Sequence, residues 1–341
     1  MNILIAFAVC VVFGLGLAAW YLKSLFKGPD YSELPVHYPF KTMGAQQQYH
    51  AYYDERAKEG PIPSLTEYVT THYGKTCVRI YGEENAPPLV LLPSGFASSL
   101  IWLPNIQGLV PHFRIYAVDN IYDVGRSVNT RPVVDASDLV EWLDELFTEL
   151  ELGESINLMG LSFGGWLASQ YALRHQDRLS GLVMAAPAAT IFPLPGAWAW
   201  RGIIGALPPH KFFMTHFLTN WMCRDLVKKG DQYSKRMLVN WMNDALMAMN
   251  CFRFRMPITP TVLTDEELGS FTIPVLFLVG ENEVIYPADK AVHRLQTVAP
   301  SIVTEVIPNA SHDLTISQTE IVNSKATSFL LGREAEESNG P

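Results

Sequence analysis

The sequence predicts an α/β fold: a mostly parallel sheet with helices on both faces, a helical lid inserted late in the chain, and an apolar N-terminal helix ahead of it. Three observations carry this. Short apolar, β-prone runs alternate with helical patterns through most of the chain, which is how a parallel sheet covered on both sides reads. A Gly-rich run, Gly160-Leu161-Ser162-Phe163-Gly164-Gly165, stands where one strand passes into one helix. The alternation then breaks between residues 188 and 268, which hold seven of the eleven methionines and four of the eight tryptophans.

From the N-terminus, Ile3 to Leu22 is a stretch of twenty residues without a charge, long enough as a helix to cross a bilayer core of about 30 Å. No Lys or Arg precedes it, and Lys23 and Lys27 follow it. Residues 1–27 are therefore expected to be an uncleaved, single-pass membrane anchor, with the body of the protein on the cytoplasmic side. Gly16-Leu17-Ala18 also satisfies a cleavage site, which leaves a removed leader as the alternative. Residues 28–62, with Pro29, Pro35, Pro39 and a polar helical pattern over 43–58, read as a spacer.

A hairpin follows, with strands over 67–73 and 76–81 and a turn at Gly74-Lys75. Strands are expected at 89–92, 114–118, 156–159, 182–185, 275–279 and 303–307. An amphipathic helix is expected at 135–150, where Leu139, Leu143, Leu146 and Leu150 recur at helical spacing. The core thus comprises residues 63–187 and 269–332, the lid residues 188–268, and a disordered tail residues 333–341.

The net charge of −9 argues against a nucleic-acid partner. Four cysteines, Cys10, Cys77, Cys223 and Cys251, give no metal-ligand spacing and no disulfide framework.

A strand turning sharply into a helix strains the residue between them, and flanking glycines let the two elements approach. The chain around Ser162 has this form, and the amides of the helix's first turn then face the serine. A serine hydroxyl is a weak nucleophile without a base held by an acid. His312 stands in a loop directly after the last strand, at the sheet edge that presents Ser162. His175 reads as a helix C-terminal cap, His37 and His50 fall in the spacer, and His210 and His216 in the lid. Among the acids after the 275–279 strand, Glu283 is the candidate partner of His312. Glu281 is the alternative, suited to bonding backbone amides in the turn, and Asp289 suits the start of the next helix. Two amides are needed for the oxyanion: Phe163 at the helix start, and Phe96 in the turn Pro93-Ser94-Gly95-Phe96.

With these residues the chain resembles the α/β-hydrolases of the capped, single-domain type, which include esterases, monoacylglycerol lipases and carbon–carbon bond hydrolases. The likeness runs from about Thr66 to Leu331 and includes Asp119 with Gly125-Arg126-Ser127. The order Ser162, Glu283, His312 agrees with the family's order. The chain departs from the family in three places: Ser94-Gly95 stands where His-Gly is usual, Glu283 where Asp is commoner, and Tyr122 and Asp123 where the family has a glycine. The resemblance implies a serine, not aspartate, nucleophile and no metal, nucleotide or organic cofactor.

The expected activity is hydrolysis of carboxylic esters, apolar or lipid-derived, through an acyl-enzyme. Hydrolysis of carbon–carbon bonds would need a carboxylate-binding arginine in the lid, such as Arg201 or Arg253. A non-catalytic binder has no need of all three side chains. From Ala188 to Val262 nine Lys and Arg face three acids, net +6, which suits contact with an anionic leaflet.

Overall fold

The computed structural model describes residues 35, 37–196, 211–253, 255 and 258–332. The anchor expected at residues 1–27 and the tail at 333–341 lie outside them, as do Arg201 and His210 of the lid. Among the described residues no helix is long and apolar enough to cross a membrane.

Among the described residues nine strands form one sheet: β1 (Leu65–Thr71), β2 (Gly74–Tyr81), β3 (Pro88–Leu92), β4 (Arg114–Val118), β5 (Val128–Asn129), β6 (Ile156–Leu161), β7 (Leu179–Ala185), β8 (Val275–Gly280) and β9 (Ile302–Ile307). The order is β1-β2-β4-β3-β6-β7-β8-β9, with the short β5 on β2. From β4 to β9 all pairings are parallel; β1 and β2 are antiparallel to each other, and β2 to β4. The predicted strands are present within a few residues. The hairpin turn is His72-Tyr73, not Gly74-Lys75, because Thr71 pairs with Gly74. Gly74 is needed inside β2, where a side chain would strike the Val128 backbone of β5.

Alternation along the strands sends side chains to two cores. Val90, Leu92 and Leu158 face the layer of α3 (Ala136–Glu149), α4 (Phe163–Arg174) and α9 (Ala288–Val298), while Leu89, Leu91 and Met159 face α2 (Leu103–Leu109) and α11 (Thr319–Leu330). Asp135 caps α3 by accepting from the amides of Ser137 and Asp138. Leu139, Leu143 and Leu146 of that helix are fully buried, as its periodicity predicts, while Leu150 is half-buried; Trp142 and Phe147 are buried beside them.

The lid contributes α5 (Lys211–Phe217), α6 (Arg224–Lys229) and α7 (Gln232–Cys251), with α8 (Asp265–Gly269) leading back to β8. Met214, Leu218, Met222 and Met237 join the second core, so the methionine-rich face packs onto the sheet domain. Ala188, Ile191, Leu263 and Leu268 belong to the first core, which puts both ends of the 188–268 segment in the sheet domain.

The spacer expected over residues 28–62 is corrected for its described part. Helix α1 (Met43–Ala57), capped by Thr42, is packed against lid and sheet. Phe40, Tyr49 and Tyr53 are buried in a third cluster with Leu103, Val124, Ala248 and Phe252. The Tyr52 hydroxyl donates to Asp244 of α7 at 2.5 Å, and Lys41 Nζ to the Met249 carbonyl at 2.7 Å. Helix α1 looked detached in sequence because its apolar positions are aromatic and scattered among glutamines and charges.

Candidate active site

Strand β6 runs straight into Ser162, and α4 begins at the next residue. Ser162 has φ 54° and ψ −112°, a region that costs a non-glycine residue on the order of 1–3 kcal/mol. Side chains on Gly160 or Gly164 would collide with backbone, Gly160 with Gly164 itself and Gly164 with Leu92 and Pro93. The strained residue is held by its neighbours: its amide donates to the Ala185 carbonyl at 2.9 Å, and its carbonyl accepts from Trp166 and Ala188 at 3.0 Å each.

The loop after β9 brings His312 to this serine. Nε2 lies 2.8 Å from Ser162 Oγ, and Nδ1 lies 3.1 Å from each carboxylate oxygen of Glu283. Glu283 Oε1 also accepts from the amides of Val284 at 2.7 Å and Ile285 at 3.0 Å, which fixes the carboxylate. Its side chain is fully buried. With Nδ1 donating to Glu283, Nε2 is left as an acceptor for the serine hydroxyl. Burial of the imidazole works against its charged form. The Glu283 charge and hydrogen bond outweigh that and hold the His312 pKa above its ordinary 6.5.

The alternatives fall elsewhere. Glu281 Oε2 accepts from the Asn309 amide at 3.0 Å, in the turn after β9 and not in its own turn after β8. Asp289 lies in the first turn of α9, and His175 caps the C-terminus of α4.

The two amides expected to form an oxyanion site differ. That of Phe163 is the first of α4, without an intrahelical acceptor, since the first such bond is Trp166 to Ser162. That of Phe96 instead donates to Asp123 Oδ2 at 2.9 Å, and Phe96 sits at φ 59° with an exposed ring. In this state the Phe96 amide is not open to a substrate, and using it requires Asp123 to let go. Burial pushes the Asp123 carboxyl up to about 6, against the hydrogen bonds from Phe96 and Val124. Asp123 is one of the two residues that replace the family glycine in its loop. It is the signal in the sequence for this contact.

Sequence reading also missed a clasp between the lid and both catalytic loops. Asn282, beside Glu283, donates to both oxygens of Asp225 in α6 at 3.2 Å. The Ser311 hydroxyl, beside His312, donates to the Met222 carbonyl at 3.1 Å, and the Leu226 amide to Asp313 Oδ2 at 3.4 Å. Burial raises the Asp313 pKa to about 6, opposed by its bonds from Ser317, Ser311 and Leu226.

Fold and site together define a hydrolase: a strained serine, an imidazole within hydrogen-bond reach, and a buried carboxylate behind it. A sequence profile of the Alpha/beta hydrolase family matches residues 89–324, and the chain belongs to that family. It is 31% identical over 300 residues to carboxylesterase YbfK of Bacillus subtilis, covering 86% of this chain and 97% of that one. It is 33% identical over 285 residues to the B. subtilis carboxylesterase nap, covering 83% and 92%. The crystal structure of naproxen esterase from B. subtilis superposes with a TM-score of 0.76 at 32% identity, covering 84% of this chain and 99% of that one.

Proposed function

We propose that the protein is a serine carboxylesterase acting through an acyl-enzyme. The observation that carries this is the unbroken contact path from Ser162 Oγ through His312 to Glu283. Ser162 Oγ attacks the ester carbonyl while His312 Nε2 takes its proton and passes it to the leaving alkoxide oxygen. Glu283 keeps the imidazole in the donating-Nδ1 tautomer and stabilises its cation. The Phe163 amide receives the developing oxyanion. Water, deprotonated by His312, then attacks the acyl carbonyl; the C–O bond to Ser162 breaks and the proton returns to Oγ. The carboxylesterase relatives support the ester as the bond cleaved.

The substrates we favour are apolar or lipid-derived esters met at a membrane surface. The uncharged run Ile3 to Leu22 supports attachment, and Arg224, Lys228, Lys229, Lys235 and Arg236 expose cations on the lid. Arg253 and Arg255 add nothing to that patch, because they bond the carbonyls of Pro35 and His37. Liposome binding by protein lacking residues 1–27 tests this; indifference to anionic lipid and to salt would refute it.

Hydrolysis of p-nitrophenyl esters of graded chain length tests the activity itself. The expected result is turnover that depends on chain length in the wild type and is lost in Ser162→Ala. Equal turnover by the variant would contradict it.

A further inference from the structure

A cleft beside the catalytic residues remains without a role. It lies between α1, α7 and the turn after β3, and its apolar walls include Phe96, Ile101, Met237, Trp241 and Ile316. Two of its lining residues belong to the segments that carry the site. Phe96 follows Gly95, which packs against Phe163 next to the nucleophile, and Ile316 lies in the short helix α10 (Leu314–Ser317) that follows His312.

The cleft is not apolar throughout, because Arg56 and Asp244 also line it. The Arg56 side chain is 7% exposed, and its Nε is buried without a hydrogen-bond partner. The nearest acids do not satisfy it. Asp244 Oδ1 stands 3.5 Å away and already accepts from the Tyr52 hydroxyl at 2.5 Å. Glu59 Oε2 lies 3.5 Å from Arg56 Nη1 and accepts from Asn240 at 2.5 Å. A buried N–H without a hydrogen bond is costly, and an incoming acceptor oxygen would relieve that cost. The charge of Arg56 is already balanced by the two carboxylates, so the matching group is neutral: an ether, carbonyl or hydroxyl oxygen. The free space is only ≈ 20 Å³, so Met237 and Trp241 must move apart when a chain enters.

We propose that this cleft is a substrate subsite that takes the far end of the ester and selects an apolar chain or ring carrying a neutral acceptor oxygen. The inference rests on the carboxylesterase reading above and names the substrate class of that same site.

The test compares esters matched in chain atoms: p-nitrophenyl heptanoate with p-nitrophenyl 5-methoxypentanoate, and heptyl acetate with 5-methoxypentyl acetate. In the wild type kcat/KM should favour the ether by about fivefold or more in one pair. Arg56→Met should bring that ratio to about one. Met237→Trp, which narrows the cleft from the lid side, should lower kcat/KM for the heptanoate relative to p-nitrophenyl acetate about tenfold or more. This second variant decides the matter if Arg56→Met does not fold. Equal rates within both pairs in the wild type, a preference that survives Arg56→Met, or an unchanged ratio in Met237→Trp would each overturn the proposal. Loss of all ester hydrolysis in the wild type would instead sink the carboxylesterase reading, and the subsite with it.

Discussion

Asn282 Nδ2 sits 3.2 Å from both carboxylate oxygens of Asp225, joining the loop of the catalytic acid to the lid. Asp225 is buried, and the cation beside it, Lys228, reaches it only at 3.4 Å from an exposed position. The lid is therefore a support for the charge relay as well as a cover over it. Asp225→Ala should cost on the order of 1–3 kcal/mol of stability and lower kcat more than it raises KM. Urea unfolding with steady-state kinetics checks both; a variant that changes KM alone would show that the clasp does not hold the site.

In the proposed mechanism Glu283 acts through His312, its carboxylate fully buried behind the imidazole. Glu283→Gln keeps the size of the side chain and removes the charge that stabilises the imidazolium. The expected loss is about 10³–10⁴ in kcat, read from single-turnover hydrolysis of an activated ester. A loss under tenfold would mean that another acid serves His312.

The same pair sets the pH dependence. His312 must be neutral to accept the serine proton, and its pKa lies above 6.5 because Glu283 favours the charged form. Activity should therefore fall as pH drops, with its midpoint above 6.5. In Glu283→Gln the remaining activity should titrate at lower pH, since burial is then opposed only by the Asp313 charge. A kcat/KM profile measured on both proteins checks the direction of the displacement; a midpoint below 6.5 in the wild type would contradict it.

Helix α1 and residues 37–42 before it are structural parts of the body. Phe40 is fully buried, with its ring 4.4 Å from that of Phe252. Phe40→Ala should cost about 3–5 kcal/mol by denaturant unfolding. A cost below about 1 kcal/mol would return this segment to the status of a tether.

Much of the site was legible because it depends on local chemistry. The glycines at 160 and 164 mark an elbow wherever they follow a strand, and His312 and Glu283 each follow a strand end at the same sheet edge. Strand periodicity was equally local, and Val90 with Leu92 and Leu89 with Leu91 face opposite cores as alternation requires. What escaped was long-range pairing. Nothing near Phe96 in sequence says that Asp123 takes its amide, and nothing near Asp225 says that Asn282 will meet it. Helix α1 escaped for a related reason: Tyr49 and Tyr53 bury against Phe252 and Leu103, partners distant along the chain.

The most direct test of the central claim is covalent. Wild-type protein and Ser162→Ala are treated with a fluorophosphonate, and the modified residue is located by peptide mass spectrometry. A single adduct on Ser162, lost in the variant and slowed in His312→Ala, is the predicted result. An unlabelled wild type, or labelling that persists without the Ser162 hydroxyl, would contradict it.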